Sequence, residues 1–290
     1  DMTTGYYNCL YGKNSGSQIT TGNGNTAMGM YTLSQATTAS NNIAIGFGTL
    51  GQVVTSAASS NNTAVGNSAG ANTTGENNVY VGKEAGLNKT TGSNNVSIGA
   101  FSMRNGSGAA ASNVSVGTYS MYHSTTLTTS TALGHWAGLN SVSGSNNCFI
   151  GNTAYGSSTS ISNEITLGNA SIATLRCQVT TITALSDRRD KKDIEELPLG
   201  IDFINTLKPV KFTWNMRDGA KVGQQEAGFI AQDLDEAQIA AGAEDYLDIV
   251  LKNNPDKLEA SMGKLVPVLV KAVQELSAEI AKLKKEISNG

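Results

Sequence analysis

A serine five residues ahead of a lysine offers a hydroxyl and an amine, the parts of a nucleophile and a base. The hydroxyl attacks a carbonyl once a neutral amine takes its proton. Ser186 and Lys191 stand at that spacing in SDRRDKKDI (186–194). The amine must first lose its own proton, and its ordinary value of about 10.4 falls with burial or nearby positive charge. Arg188, Arg189 and Lys192 supply such charge. Taken without its surroundings, the Lys191–Lys192 pair reads first as a solvated basic cluster. Other chemistry is poorly served. Cys9, Cys148 and Cys177 form no CxxC pair, and His123 and His135 have no ligand cluster beside them. No metal site, disulfide framework or cofactor is therefore expected.

The serine also marks a step in composition. Residues 1–185 carry five Lys/Arg and four Asp/Glu, whereas residues 186–290 carry fifteen and nineteen. Among the four early acids only Glu76 and Glu84 come near each other in the repeat, so a glycosidase's paired carboxylates are not expected there. A net charge of −3 offers no case for nucleic acid or an anionic membrane surface. No apolar run reaches the roughly 18–20 residues that cross a bilayer. Asp1 in place of Met points to a piece of a longer protein.

The first 185 residues repeat. NCLYG, NTAMG, NIAIG, NTAVG, NVYVG, NVSIG, NVSVG, STALG, NCFIG and EITLG share one frame, with glycines at 12, 29, 46, 66, 82, 99, 117, 134, 151 and 168. The residue after Asn and the residue before Gly are mostly apolar, which predicts a short strand with one face buried. The return through small residues such as Ala85-Gly86 predicts a second strand, with Asn-Asn and Thr-Thr-Gly at the turns. Coils of 17 residues should stack as a parallel β-roll at about 4.8 Å per rung. Cys9 and Cys148 lie eight rungs apart, too far to bridge, and are expected to be small buried hydrophobes. Among the aromatics, Tyr119, Tyr122 and Trp136 are candidate receptor contacts. The alternative for the aromatic set, Tyr80 and Phe149 included, is that it lines the roll or a subunit interface.

The repeat frame resembles the head repeats of trimeric autotransporter adhesins over roughly residues 5–175, which implies a trimeric β-roll. Residues 186–290 resemble the endosialidase-type intramolecular chaperone of phage tail fibres and tailspikes. That resemblance rests on SDRRDKKDI, on LKPVKFTWN (207–215), on GFIAQDLDEA (228–237) and on a terminal helix. It implies Ser186 as nucleophile, Lys191 as base, Leu185–Ser186 as the scissile bond, and Asp187 and Arg189 as orienting residues of the loop.

Met262, Val266, Leu269, Val273, Leu276, Ile280, Leu283 and Ile287 form a heptad seam over a helix of about 262–288. β-Branched residues alternating with Leu favour two strands by rule, whereas Leu265, Val270 and Ala272 beside the seam suit three. The resemblances imply a homotrimer.

The expected architecture is a mainly β repeat region (1–175), a linker (176–185) and an α+β chaperone domain (186–290) ending in a coiled-coil helix. The expected function is a virion tail-fibre protein, assembled in the host cytoplasm, that trimerises through its C-terminal domain and then cuts that domain off. Its expected partners are two further copies, other virion tail proteins and a host-surface receptor, a glycan or other outer-surface structure. The alternative is a cell-surface or viral adhesin whose C-terminal domain is a non-cleaving trimer cap.

Overall fold

The computed structural model describes residues 4–51, 59–89, 91–106, 108–172, 174–178, 182–217, 219 and 221–289. Part of the expected linker, residues 179–181, lies outside them. The chain divides into two compact units, Asp1–Ile172 and Ala173–Gly290.

The first unit is a β-solenoid. Its strands are β1 (Cys9–Tyr11), β2 (Thr26–Met28), β3 (Ile43–Ile45), β4 (Thr63–Val65), β5 (Val79–Val81), β6 (Val96–Ile98), β7 (Val114–Val116), β8 (Thr126–Thr128), β9 (Thr131–Leu133), β10 (Ser143–Ser145), β11 (Cys148–Ile150) and β12 (Ile165–Leu167). All but β8 and β10 form one ten-stranded parallel sheet, each strand paired in frame with the next. The ten strands bound about nine turns.

The frame glycines set the rung spacing. Gly99 has φ +125°, and a Cβ there would lie 2.6 Å from the carbonyl carbon and oxygen of Gly117 in the following rung. Only a residue without Cβ lets the backbones stack so closely. Among the described residues the small-residue return, where a second strand was expected, is a run of turns, because left-handed residues such as Tyr31 (φ 62°) and Leu33 (φ 47°) interrupt it. The two further strands, β8 and β10, pair with each other and lie later in the coil, just ahead of the next frame strand.

The pleat runs opposite to expectation. The central residue of each strand points into the roll: Ala27, Ala44, Ala64, Tyr80, Ser97, Ser115, Ala132 and Phe149 are fully buried. The flanking apolar residues, Ile43 and Ile45 among them, face outward. Cys9, on the same outer face, is exposed and Cys148 is half-buried, so neither is the buried hydrophobe expected. The lumen is narrow and its volume is shared between two positions. Where the strand centre is Ala27 or Ala44, the return segment inserts Leu33 or Leu50. Where the centre is Tyr80, the return segment has Gly86, whose added Cβ would fall 2.1 Å from the Tyr80 ring.

The frame asparagines are internal struts rather than turn residues. Asn25 donates from its backbone N–H and from Nδ2 to Asn8 Oδ1 in the rung before, at 3.0 and 2.9 Å, and from Nδ2 to Ala39 O at 2.8 Å. The same pattern recurs at Asn78, Asn95 and Asn113. Ser130 interrupts the ladder, and its hydroxyl accepts from Asn147 N at 3.1 Å. Each buried amide thus satisfies its own donors and acceptor.

Lys89 is fully buried in the roll. Its side chain reaches past Gly106, where a Cβ would collide with it, and its Nζ donates to the Ser124 carbonyl oxygen and to Ser124 Oγ. Burial pushes its amine down to about 7. Between about pH 7 and about 10 the unfolded chain therefore binds a proton that the folded chain does not, and stability rises with pH across that window. The full-length Lys89→Met variant is expected to melt higher than wild type at pH 7. Its thermal midpoint should also lose the upward slope that wild type shows from pH 7 to 9.5.

The second unit holds α1 (Ile201–Thr206), the hairpin β13 (Val210–Thr213) and β14 (Gln225–Gly228), α2 (Ala231–Ala240), α3 (Glu244–Leu247), the antiparallel pair β15 (Val250–Leu251) and β16 (Glu259–Ala260), and α4 (Leu265–Asn289). Its core gathers Leu199, Phe203, Leu234, Leu247, Ile249 and Val268. Glu275 on α4 accepts from Ile201 N at 2.7 Å, which fastens the start of α1 to the long helix. Pro267 is the third residue of α4, where a missing N–H costs nothing.

Candidate functional site

Ser186 lies in the extended stretch that leads into a 3₁₀ turn, Arg188–Asp190. Asp187 caps the turn, its Oδ1 accepting from Arg189 N at 2.8 Å. The Arg189 guanidinium grips the same carboxylate, with Nη2 to Oδ2 at 2.6 Å. The Arg189 side chain, and after it the backbone N–H, holds the Asp187 carboxyl below the ordinary carboxylate range. Lys191 closes the turn, its backbone N–H donating to Arg188 O at 3.2 Å. One tight turn thus carries the chain back on itself, and Lys191 Nζ donates to Ser186 Oγ at 2.7 Å.

The structure therefore brings together Ser186, Lys191, Asp187 and Arg189, the four residues singled out in this loop. Both members of the pair are exposed, as is Leu185 on the other side of the Leu185–Ser186 bond. In this arrangement the amine donates to the hydroxyl. To accept the hydroxyl proton it must be neutral, and a covering surface that excludes water favours that form.

The stretch that follows is tied to the long helix: Lys271 on α4 forms an ion pair with Glu196, each partner favouring the other's charged state. Sequence reasoning missed Glu196, Lys271 and Glu275. Their contacts span about 75 residues, and no local pattern announces them.

The eight seam residues occupy one line that leaves the unit. Met262 sits in a 3₁₀ turn just before α4, and the other seven lie on the helix, all of them exposed. The adjoining line, Leu265, Val268 and Ala272, is buried within the chain itself. Leu265 and Ala272 are therefore not free to widen the seam, which leaves Val270 alone of the three flanking residues. Met262 and Leu269 also line an apolar groove of about 450 Å³ with Ile204, Leu207, Pro209 and Phe229.

On the solenoid, Tyr80 and Phe149 are inside the roll. Phe101 and Tyr119 stack at 4.9 Å, His135 stacks on Trp136 at 4.5 Å, and Arg104 bridges Glu84 and the Tyr122 hydroxyl. Each stack thus covers one face of each of its rings.

No curated protein and no solved structure matches the chain. The segment that opens at the serine and ends after α2, residues 186–243, matches the family described as the chaperone of endosialidase.

Proposed function

We propose that this chain is a trimeric phage tail-fibre protein whose C-terminal part aligns three copies, supports folding of the solenoid and then cuts itself off at Leu185–Ser186. The observation that carries the reading is the 2.7 Å contact between Lys191 Nζ and Ser186 Oγ at the head of the chaperone-like segment. In the proposed step Ser186 Oγ attacks the Leu185 carbonyl carbon while Lys191 takes the hydroxyl proton. The acyl group passes from nitrogen to oxygen and the nitrogen leaves protonated. Water then hydrolyses the ester, freeing a carboxylate on residue 185 and an amine on residue 186.

A folding problem gives the device its use. Near-identical rungs invite register slips, and non-local parallel pairing forms slowly with edges exposed. Joining three chains through the α4 seam raises their effective concentration and aligns them. Removing the bundle afterwards makes the fibre's durability kinetic. Assembly takes place in the host cytoplasm, and the finished fibre attaches to other tail proteins and to a host-surface receptor. The full exposure of the dyad favours one other reading, an adhesin that keeps its C-terminal cap uncut.

Replacing Leu276 and Ile280 by Asp tests the proposal. Wild type should be trimeric by light scattering and should yield two fragments, whereas the double variant should be monomeric and intact. A wild-type chain that trimerises but remains whole after prolonged incubation supports the adhesin. A monomeric wild type defeats both readings.

A further inference from the structure

Past the serine–lysine turn the chain runs exposed from Lys191 to Glu196 and then enters the core of its unit, with Leu199 and Gly200 buried. Two side chains of α4, one helical turn apart, meet it there. Lys271 pairs with Glu196, and Glu275 accepts from Ile201 N at 2.7 Å. Gly200 makes room for that carboxylate, since a Cβ on it would fall 2.0 Å from Glu275 Oε2. Glu196 chiefly, and Glu275 after it, raises the Lys271 amine above its ordinary value, so the three groups form one cluster.

At about 100° per residue, Lys271 and Glu275 fall on the far side of α4 from the exposed seam. The helix can therefore hold this segment and a partner helix at once. Its two halves differ. The first carries the buried Leu265, Val268 and Ala272, whereas every residue from Leu276 to Asn289 is exposed. A free stretch of that length is marginal as a helix in water. Glu275 is the last half-buried residue ahead of it, so fraying from the free end reaches the Ile201 contact first and the Lys271 pair next.

We infer that Glu275 and Lys271 are positioning residues for the cut: they hold the segment that follows Ser186 and Lys191 against α4, and covering the seam steadies that hold. The loop is then set for chemistry in an assembled chain, and an unassembled copy keeps its α4. That the loop cuts and that copies cover the seam rest on the proposed function; the clamp does not. Glu275 is its stronger half, a charged acceptor on a part-buried backbone donor, while the largely exposed Glu196–Lys271 pair contributes less.

The test uses the full-length chain, with the assembly of each variant read by light scattering. Among trimeric proteins, Glu275→Ala should cut severalfold more slowly than wild type, and Glu275→Gln, which keeps an acceptor oxygen, should cut at close to the wild-type rate. Lys271→Glu should slow the cut less, and adding Glu196→Lys should restore it, which a mere loss of packing would not do. If Glu275→Ala does not assemble, this exposed pair decides. Hydrogen exchange in the Ser186→Ala background, read by mass spectrometry on peptides spanning Ile201, needs no cutting. The Ile201 amide should exchange about tenfold faster in Glu275→Ala. It should also exchange faster when Leu276→Asp and Ile280→Asp open the seam, with the α2 amides unchanged.

A trimeric Glu275→Ala protein that cuts at the wild-type rate would overturn the positioning role while leaving the proposed function standing. Unchanged Ile201 exchange in the seam variant would overturn the link to assembly. A wild type that never cuts removes the proposed cleavage and with it the positioning role, and Ile201 exchange in the seam variant then decides whether assembly steadies the segment.

Discussion

A chain carrying Ser186→Ala should stay whole at 290 residues, where the proposed cut of the wild type would give pieces of 185 and 105. The loss is complete because alanine leaves no group that can carry the acyl chain. Lys191→Met should be nearly as severe for a different reason: the hydroxyl remains, but nothing within hydrogen-bond distance takes its proton. Asp187→Ala acts one step further out. It removes the cap of the 3₁₀ turn and the anchor of Arg189, so the lysine returns to the serine for a smaller fraction of the time. Losing that cap should slow the cut severalfold without abolishing it. Denaturing gels sampled over hours from purified protein, across neutral to alkaline pH, supply the comparison. Fragments of unchanged size from Ser186→Ala would show that another protease, or another residue, does the cutting.

The glycine frame was readable because it answers to one constraint repeated from rung to rung. A Cβ at any of several frame glycines would strike the backbone of the next rung, so the position tolerates no other residue and the period shows. The direction of the pleat was not readable. Ile43-Ala44-Ile45 is apolar on both faces, and period two cannot say which face enters a single chain. What decides is lumen volume, visible only once Ala44 is seen against Leu50, and Tyr80 against Gly86. The asparagine pairs hid two jobs in one dipeptide. Asn41, at φ 57°, makes the turn, while Asn42 enters the roll and bonds to Asn25.

In the second unit the serine–lysine loop was legible because its residues act over five positions of chain. The seam was legible for its heptad spacing, yet the line beside it on the same helix was misassigned. Leu265, Val268 and Ala272 are also spaced at three and four, and only the docking of α1 tells the inner line from the outer.

Gly99→Ala should cost the solenoid its stack, and Gly48→Asn should cost almost nothing. Both glycines have positive φ, +125° and +62°, so glycine content alone does not separate them. Their surroundings do. At Gly99 the added Cβ meets the carbonyl carbon and oxygen of Gly117 at 2.6 Å, backbone atoms already held in place by Ser120, whose N–H and hydroxyl donate to that oxygen. At Gly48 the nearest atom is Ser68 Oγ at 3.6 Å, ordinary contact distance. Gly48 also holds the frame position that other rungs fill with Tyr31, Phe101, Tyr119 and Trp136, so the backbone there accepts side chains. Strain at a mirror-image φ costs roughly 1–3 kcal/mol, and pushing two rungs apart adds to it, for an expected loss of about 3 kcal/mol or more at Gly99. Asparagine in the left-handed region at Gly48 should cost under about 1 kcal/mol. Soluble yield, protease resistance and thermal midpoint of the two full-length variants provide the measurement. Because every rung leans on its neighbours, the Gly99 defect should spread along the stack as protease-sensitive turns on both sides of the substituted rung. Equal stability of the two variants would mean that something other than glycine-to-glycine backbone contact sets the spacing of the rungs.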